Sequence, residues 1–203
     1  MLKRVEIDPY IKVKKEEDLV EPPAIIRVVK FDEDATKAFS ESMSKAQSLP
    51  QPVIPVVVDS YGGQTMALLT MITEILGSKK PVATVVEGKA MSCGAILAAF
   101  GTRGYRYVGP HAWIMIHQIS CGTWGKENDV KTDAEMLTAH NKQVFEMLAR
   151  HCGKKPNFFM QMMRERANAD WYIRPREALK CGMADFVRVP ELVVRIRMET
   201  TFE

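Results

Sequence analysis

The stretch that decides the fold runs from Val82 to Gly101 and reads VATVVEGKAMSCGAILAAFG. Val82 to Val86 is a continuous run of β-branched and small residues, the pattern of a strand buried on both faces of a parallel sheet. The small apolar residues that follow Ser92 read as a short buried helix. Ser92 therefore stands between a strand and a helix. A serine there is either an N-cap or a nucleophile exposed on a sharp strand-to-helix turn.

Working outward, the same alternation recurs on both sides. Towards the N-terminus, Val53 to Asp59 reads as a strand with Pro55 as a local irregularity. Tyr61-Gly62-Gly63 follows it. The apolar positions Met66, Leu69, Ile72 and Leu76 then have helical spacing, with Gly77 as terminator. Ala24 to Val29 reads as another strand, and Asp32 to Gln47 as a helix opened by acidic residues that suit its N-terminal dipole. Towards the C-terminus, Tyr105 to Val108 and Trp113 to His117 read as short strands. A Gly-, Ser- and Thr-containing stretch, Ile119 to Asp129, leads to a long helix from about Thr132 to His151, closed by Gly153. That helix is too long for a compact layer, so it is expected to project and pack on another subunit. A short helix near Arg176 to Lys180 and a strand, Asp185 to Val189, end the pattern. The strand–helix alternation from Ala24 to Gly101 implies crossover βαβ units and a mainly parallel sheet.

Composition narrows the class. The chain has 203 residues, enough for one domain with a substantial core. Lys and Arg number 28 against 25 Asp and Glu, a net charge of +3, and the basic pairs Lys14-Lys15, Lys79-Lys80 and Lys154-Lys155 are scattered. They read as solvated loop charges, not as a nucleic-acid footprint. The first residues lack a signal-peptide core, and no apolar run reaches the length of a membrane span. Cys93, Cys121, Cys152 and Cys181 form no CxxC pair, and the four histidines form no metal-ligand pattern. A reducing compartment, without a metal site or disulfide framework, is the expectation.

Three features carry candidate chemistry. Ser92 needs a base to take its proton and donors to stabilise an oxyanion. Gly62-Gly63 also follows a parallel strand and precedes a helix, where α/β sheets bind ligands. A glycine pair there can turn a backbone N–H inward. It lacks the lysine of a phosphate loop. His117, at a strand end, would serve Ser92 if the fold brought the two together and a carboxylate oriented the ring. Asp129, Asp133, Asp170 and Asp185 are all candidates for that carboxylate, and the pattern does not choose among them.

Taken together, these residues resemble the ClpP family, the proteolytic subunit of the Clp protease, from about Ala24 to Val189. Asp59-Ser60-Tyr61-Gly62-Gly63 resembles the family's Asn-Ser-Pro-Gly-Gly turn. Gly88 to Ala95 resembles its Gly-x-Ala-x-Ser-x-Gly-Ala nucleophile segment. Met115-Ile116-His117-Gln118 matches its strand end. Asp170-Trp171-Tyr172-Ile173, with Glu177-Ala178 and Gly182-Met183-Ala184-Asp185, resembles its last motif.

The resemblance implies an α/β spiral of βαβ units with a projecting handle of strand plus long helix. It implies an N-terminal arm over 1–23, a peptidase domain over 24–190 with its handle at about 119–152, and a tail over 191–203. It assigns Ser92 as nucleophile, His117 as base and Asp170 as the orienting carboxylate, with the backbone N–H groups of Gly63 and Cys93 as the oxyanion hole. Gln64, Thr65, Ser120, Cys121 and Gly122 would bind substrate, an unfolded polypeptide added as an extended strand. No cofactor is implied. The implied assembly is a heptameric ring, stacked in pairs as a tetradecamer and fed by an ATP-dependent AAA+ unfoldase, in the cytoplasm or, for an organellar chain, the plastid stroma.

The chain departs from the family pattern in four places. Tyr61 replaces the usual proline. A short insertion lies within Lys154 to Ala169. Ala169 stands where many members have an arginine that pairs across the ring interface. The arm does not match the family's axial loop. Two rival readings remain. A crotonase-type acyl-CoA enzyme shares the spiral fold and two backbone oxyanion donors but works with carboxylates. The other rival is a catalytically silent ring subunit.

Overall fold

The computed structural model describes residues 23–167 and 169–191. The expected arm and tail lie outside these residues, apart from Pro23 and Glu191.

In chain order the elements are β1 (Ile26–Val28), α1 (Glu33–Ser48), β2 (Ile54–Ser60), α2 (Thr65–Leu76), β3 (Val82–Met91) and α3 (Cys93–Ala99). They continue as β4 (Arg106–Val108), β5 (Trp113–Ile116), α4 (Glu127–His151), α5 (Phe158–Arg164), β6 (Trp171–Ile173), α6 (Pro175–Cys181) and β7 (Phe186–Val187). The strands form a seven-stranded sheet in the order β1-β2-β3-β4-β7, and β5 pairs with both β3 and β6. Every pairing is parallel except β5 with β6. The fold is the mixed α/β, mainly parallel architecture that the alternation of strands and helices predicts.

Local chemistry explains the boundaries. Asp32 caps α1 by accepting a 2.8 Å hydrogen bond from Ala35 N–H. Its carboxyl is held below the usual range by Lys30 and by this N–H. Gly77 ends α2 in a right-handed conformation, not a left-handed one. Pro55 does not interrupt β2, because β1 begins pairing only at Val56 and the proline needs no partner on that side. The irregularity falls later, where the β2–β3 register shifts between Val58 and Ser60.

β3 is the spine, and it is longer than its apolar run. Thr84 to Val86 pair with β4, while Lys89 to Met91 pair with β5. The turn between these strands is fixed by Gly109 N–H on Val86 O at 2.8 Å and Ala112 N–H on Gly109 O at 3.0 Å. Both short strands therefore line the same edge of β3 in succession. Glu87 and Gly88 are exposed, which is why hydropathy alone ends the strand at Val86.

The long helix is real and begins earlier than expected, at Glu127. Its buried residues are His140, Asn141, Val144, Phe145, Leu148 and Ala149, all in the second half. The first half is held by its acidic first turn, Glu127 and Asp129, and Met136 is half exposed there. The helix thus leaves the domain as a projection. The short helix α5 and the strand β6 have no counterpart in the sequence pattern. α5 occupies the insertion and buries Phe159 and Met163 completely.

An ion pair between buried Arg106 and half-buried Asp185 closes the far edge of the sheet. Asp185 receives Arg106 Nη2–H at 2.6 Å and Nε–H at 2.9 Å, and also Gly104 N–H at 2.7 Å. Arg106 Nη1 donates to Gly182 O at 2.6 Å. Burial alone would raise the Asp185 carboxyl, but the Arg106 bonds and charge outweigh it and hold the group below its ordinary value.

Candidate active site

The C-terminal ends of β2, β3 and β5 meet at one point, and Ser92, Gly62-Gly63 and His117 all follow from there. Ser92 has φ 53° and ψ −121°, a left-handed conformation that a residue other than glycine holds at a cost of about 1–3 kcal/mol. Two bonds impose it. Ser92 N–H donates to Met115 O at 2.7 Å, extending the β3–β5 ladder, and Ser92 O accepts from Ile96 N–H at 3.2 Å, starting the helix. The Ser92 side chain makes no cap bond to α3. Its Oγ instead meets His117 Nε2 at 2.8 Å. The serine is a strained elbow facing a histidine, not an N-cap.

The glycine turn packs directly on this elbow. A Cβ on Gly62 would lie 2.8 Å from Ser92 Cβ, and one on Gly63 would lie 2.4 Å from Phe31 O. Both glycines also have positive φ, 105° and 147°, so neither position tolerates a side chain. Gly62 N–H is held by Ser60 Oγ at 3.0 Å. Cys93 Sγ–H donates to Gly63 O at 3.2 Å, tying the two turns together. Burial pushes the Cys93 thiol above its usual pKa, so it stays protonated and structural. Among the described residues, the N–H groups of Gly63 and Cys93 donate to no turn, loop or side-chain acceptor. Tyr61, at the family's proline position, points into solvent under the Lys89 ammonium, 4.7 Å from its ring centroid, and Lys89 pairs with Asp59 at 2.9 Å.

The four candidate aspartates now separate. Asp185 is committed to Arg106. Asp133 accepts from Thr123 Oγ1. Asp129 lies in the exposed first turn of α4. Asp170 immediately precedes β6. Its antiparallel register on β5 pairs Ile116 with Trp171, so one further step sets Asp170 opposite His117. No hydrogen bond or ion pair joins the two in this structure, and Asp170 is exposed. Its neighbour Trp171 is buried and fixed: Nε1–H donates to Glu177 at 3.2 Å, and the Arg166 guanidinium lies 4.5 Å from the ring.

Of the expected substrate residues, Gln64 is exposed and Thr65 half-buried where α2 begins, beside Gly63. Ser120, Cys121 and Gly122 are exposed in a segment without turn or bend. Among the described residues that segment pairs with no strand and is not itself a strand, so the expected strand of the handle is not formed within this one chain.

A parallel α/β fold with a strained serine on a histidine at the carboxyl ends of its strands is the framework of a serine hydrolase. The family model described as Clp protease matches residues 16–191, and the chain belongs to the Clp protease family. Membership places it among serine peptidases of the ClpP type, which act on peptides as oligomers. None of the described helices is long and apolar enough to cross a membrane.

Proposed function

We propose that this chain is an active serine endopeptidase that cuts unfolded polypeptides with Ser92 as nucleophile. The 2.8 Å contact between Ser92 Oγ and His117 Nε2, on a strained turn, carries this reading. Nε2 accepts the serine proton as Oγ attacks the scissile carbonyl, then returns it to the leaving amine. The free N–H groups of Gly63 and Cys93 stabilise the tetrahedral oxyanion. Asp170 turns its carboxylate onto Nδ1 in the assembled enzyme and supports the imidazolium. The substrate lies extended along Gln64, Thr65 and the open segment at Ser120 to Gly122.

The assembly proposed is a ring of seven, stacked in pairs and closed around the active sites, with an ATP-dependent unfoldase supplying folded proteins. An acyl-CoA enzyme of the crotonase type needs carboxylates where this site places Ser92 and His117, and a silent subunit has no use for a strained elbow. Ser92→Ala decides the matter. It should abolish peptide hydrolysis and fluorophosphonate labelling while leaving assembly unchanged. Loss of such a serine lowers turnover on the order of a millionfold, so residual host protease must be excluded. Activity retained in pure Ser92→Ala protein would refute the proposal.

A further inference from the structure

We infer that Asn141 is a positioning residue that aligns the substrate-binding segment by occupying one edge of its backbone. The inference rests on the peptidase reading and names a group which that reading does not use. Asn141 lies on the buried face of α4, between His140 and Val144, and is 8% exposed. Its Oδ1 accepts Ile119 N–H at 2.7 Å. Its Nδ2 donates to Ile119 O at 3.3 Å and to Leu137 O at 3.1 Å. One acceptor and two donors meet one N–H and two carbonyls, and a reversed amide would satisfy none of the three. The carboxamide does for Ile119 what a neighbouring strand would do.

This contact matters because of where Ile119 stands. It follows His117 by two residues and opens the segment that carries Ser120, Cys121 and Gly122. From Ile119 to Trp124 there is no turn or bend, and among the described residues no ladder partner. In extended backbone, the N–H and C=O of one residue face one side and those of the next residue face the other. Asn141 takes the Ile119 side. The N–H and C=O of Ser120 then face away from α4, and no described residue bonds to them. They form the edge on which a peptide adds, in register with Ser92 because the same segment carries His117. Without Asn141 the segment can rotate about its axis and present either edge.

The test compares Asn141→Asp and Asn141→Leu with the parent enzyme. Asp keeps the acceptor for Ile119 N–H but sets an acceptor against Ile119 O, and Leu removes both bonds at similar size. Peptides of increasing length are assayed for KM and kcat, and fluorophosphonate labelling of Ser92 is timed in parallel, because that probe needs no extended substrate strand. The expected result is a KM for long peptides raised about tenfold, with little change in labelling rate or in KM for a single-residue ester. A structural role alone would lower kcat and the labelled fraction together at constant KM, which overturns the inference, as does an unchanged KM for long peptides. Should the Leu variant fail to fold, the Asp variant decides by itself. A parent enzyme that does not label refutes the peptidase reading and this inference with it. A labelled parent with unaltered Asn141 variants removes Asn141 alone.

Discussion

Trp171 pairs with Ile116 in the antiparallel ladder of β5 and β6, and one further step of that register brings Asp170 level with His117. Directly opposed residues in such a ladder have their side chains on the same face, about 5 Å apart. If that register continues one step beyond the ladder, the carboxylate shares a face with the imidazole. Asp170→Asn should keep the ring in place but favour the wrong tautomer, lowering kcat roughly ten-thousand-fold with assembly intact. Steady-state kinetics on a short peptide checks this. Full activity in the variant would remove Asp170 from the mechanism.

That relationship also shows what was legible in the sequence. Continuous apolar runs in Val82 to Val86 and in Val53 to Asp59 marked the buried parallel strands, and the helix starts between them marked the site. Ser92, His117 and the glycine turn lie at those boundaries, so the pattern found them. The second half of β3 was hidden because Glu87 and Gly88 interrupt the apolar run, although the backbone ladder continues through them. Spacing alone does not choose Asp170 from four aspartates, since its place depends on a ladder between strands more than 50 positions apart, and only the resemblance to the family's last motif singles it out. Asn141 left one signal, an amide on a helix face otherwise filled by Val144, Phe145 and Leu148.

The Arg106–Asp185 pair makes an acid-side prediction. A carboxyl whose folded pKa is depressed contributes stability above its unfolded value, near 3.8. That contribution is lost as pH falls through the lower, folded value. Asp185→Asn should remove it at neutral pH and leave the buried Arg106 without its counter-charge. The expected loss is about 3 kcal/mol, a fall in Tm of roughly 10 °C for a chain of this size. Calorimetry that shows Tm unchanged would mean the pair contributes nothing net.

His151 sets a second window, nearer neutrality. Burial against Phe100, with ring centroids 4.3 Å apart, lowers its pKa below 6.5, and the nearby Arg106 and Arg103 lower it further. Its hydrogen bond to Gly101 O and the Asp185 charge oppose this and lose. The folded state therefore disfavours the protonated imidazole relative to the unfolded chain. Below about pH 6.5 the unfolded chain binds more protons, so stability should fall as pH drops through that value and go on falling until the folded pKa is reached. His151→Phe keeps the stacking and removes the titration. Its stability should stay flatter than the parent's from about pH 7 to pH 5 in urea melts. Equal slopes would place the titration elsewhere.

The last prediction concerns assembly. Trp113 is 61% exposed and Tyr172 52%, on the adjacent strands β5 and β6, where they pack edge to face at 6.1 Å. The projecting half of α4 adds Val130 and Met136, and Trp124 stands nearly free before it. Family membership implies an oligomeric assembly, and other copies of the chain are expected to cover these groups. Head-to-tail contact through such a face closes into a ring when the rotation permits. With a chain of 22.9 kDa, light scattering should give about 160 kDa for seven copies or about 320 kDa for fourteen. Tyr172→Asp sets a charge in the exposed aromatic pair without touching the Trp171–Ile116 ladder position, and it should shift the particle towards free chains. Peptide hydrolysis should fall in proportion to the chains released, because Asp170 is the neighbour of Trp171 and relies on the same strand end for its orientation. A monomer or dimer for the parent across a wide concentration range would reject the ring. A stable particle of seven would reject only the stacking.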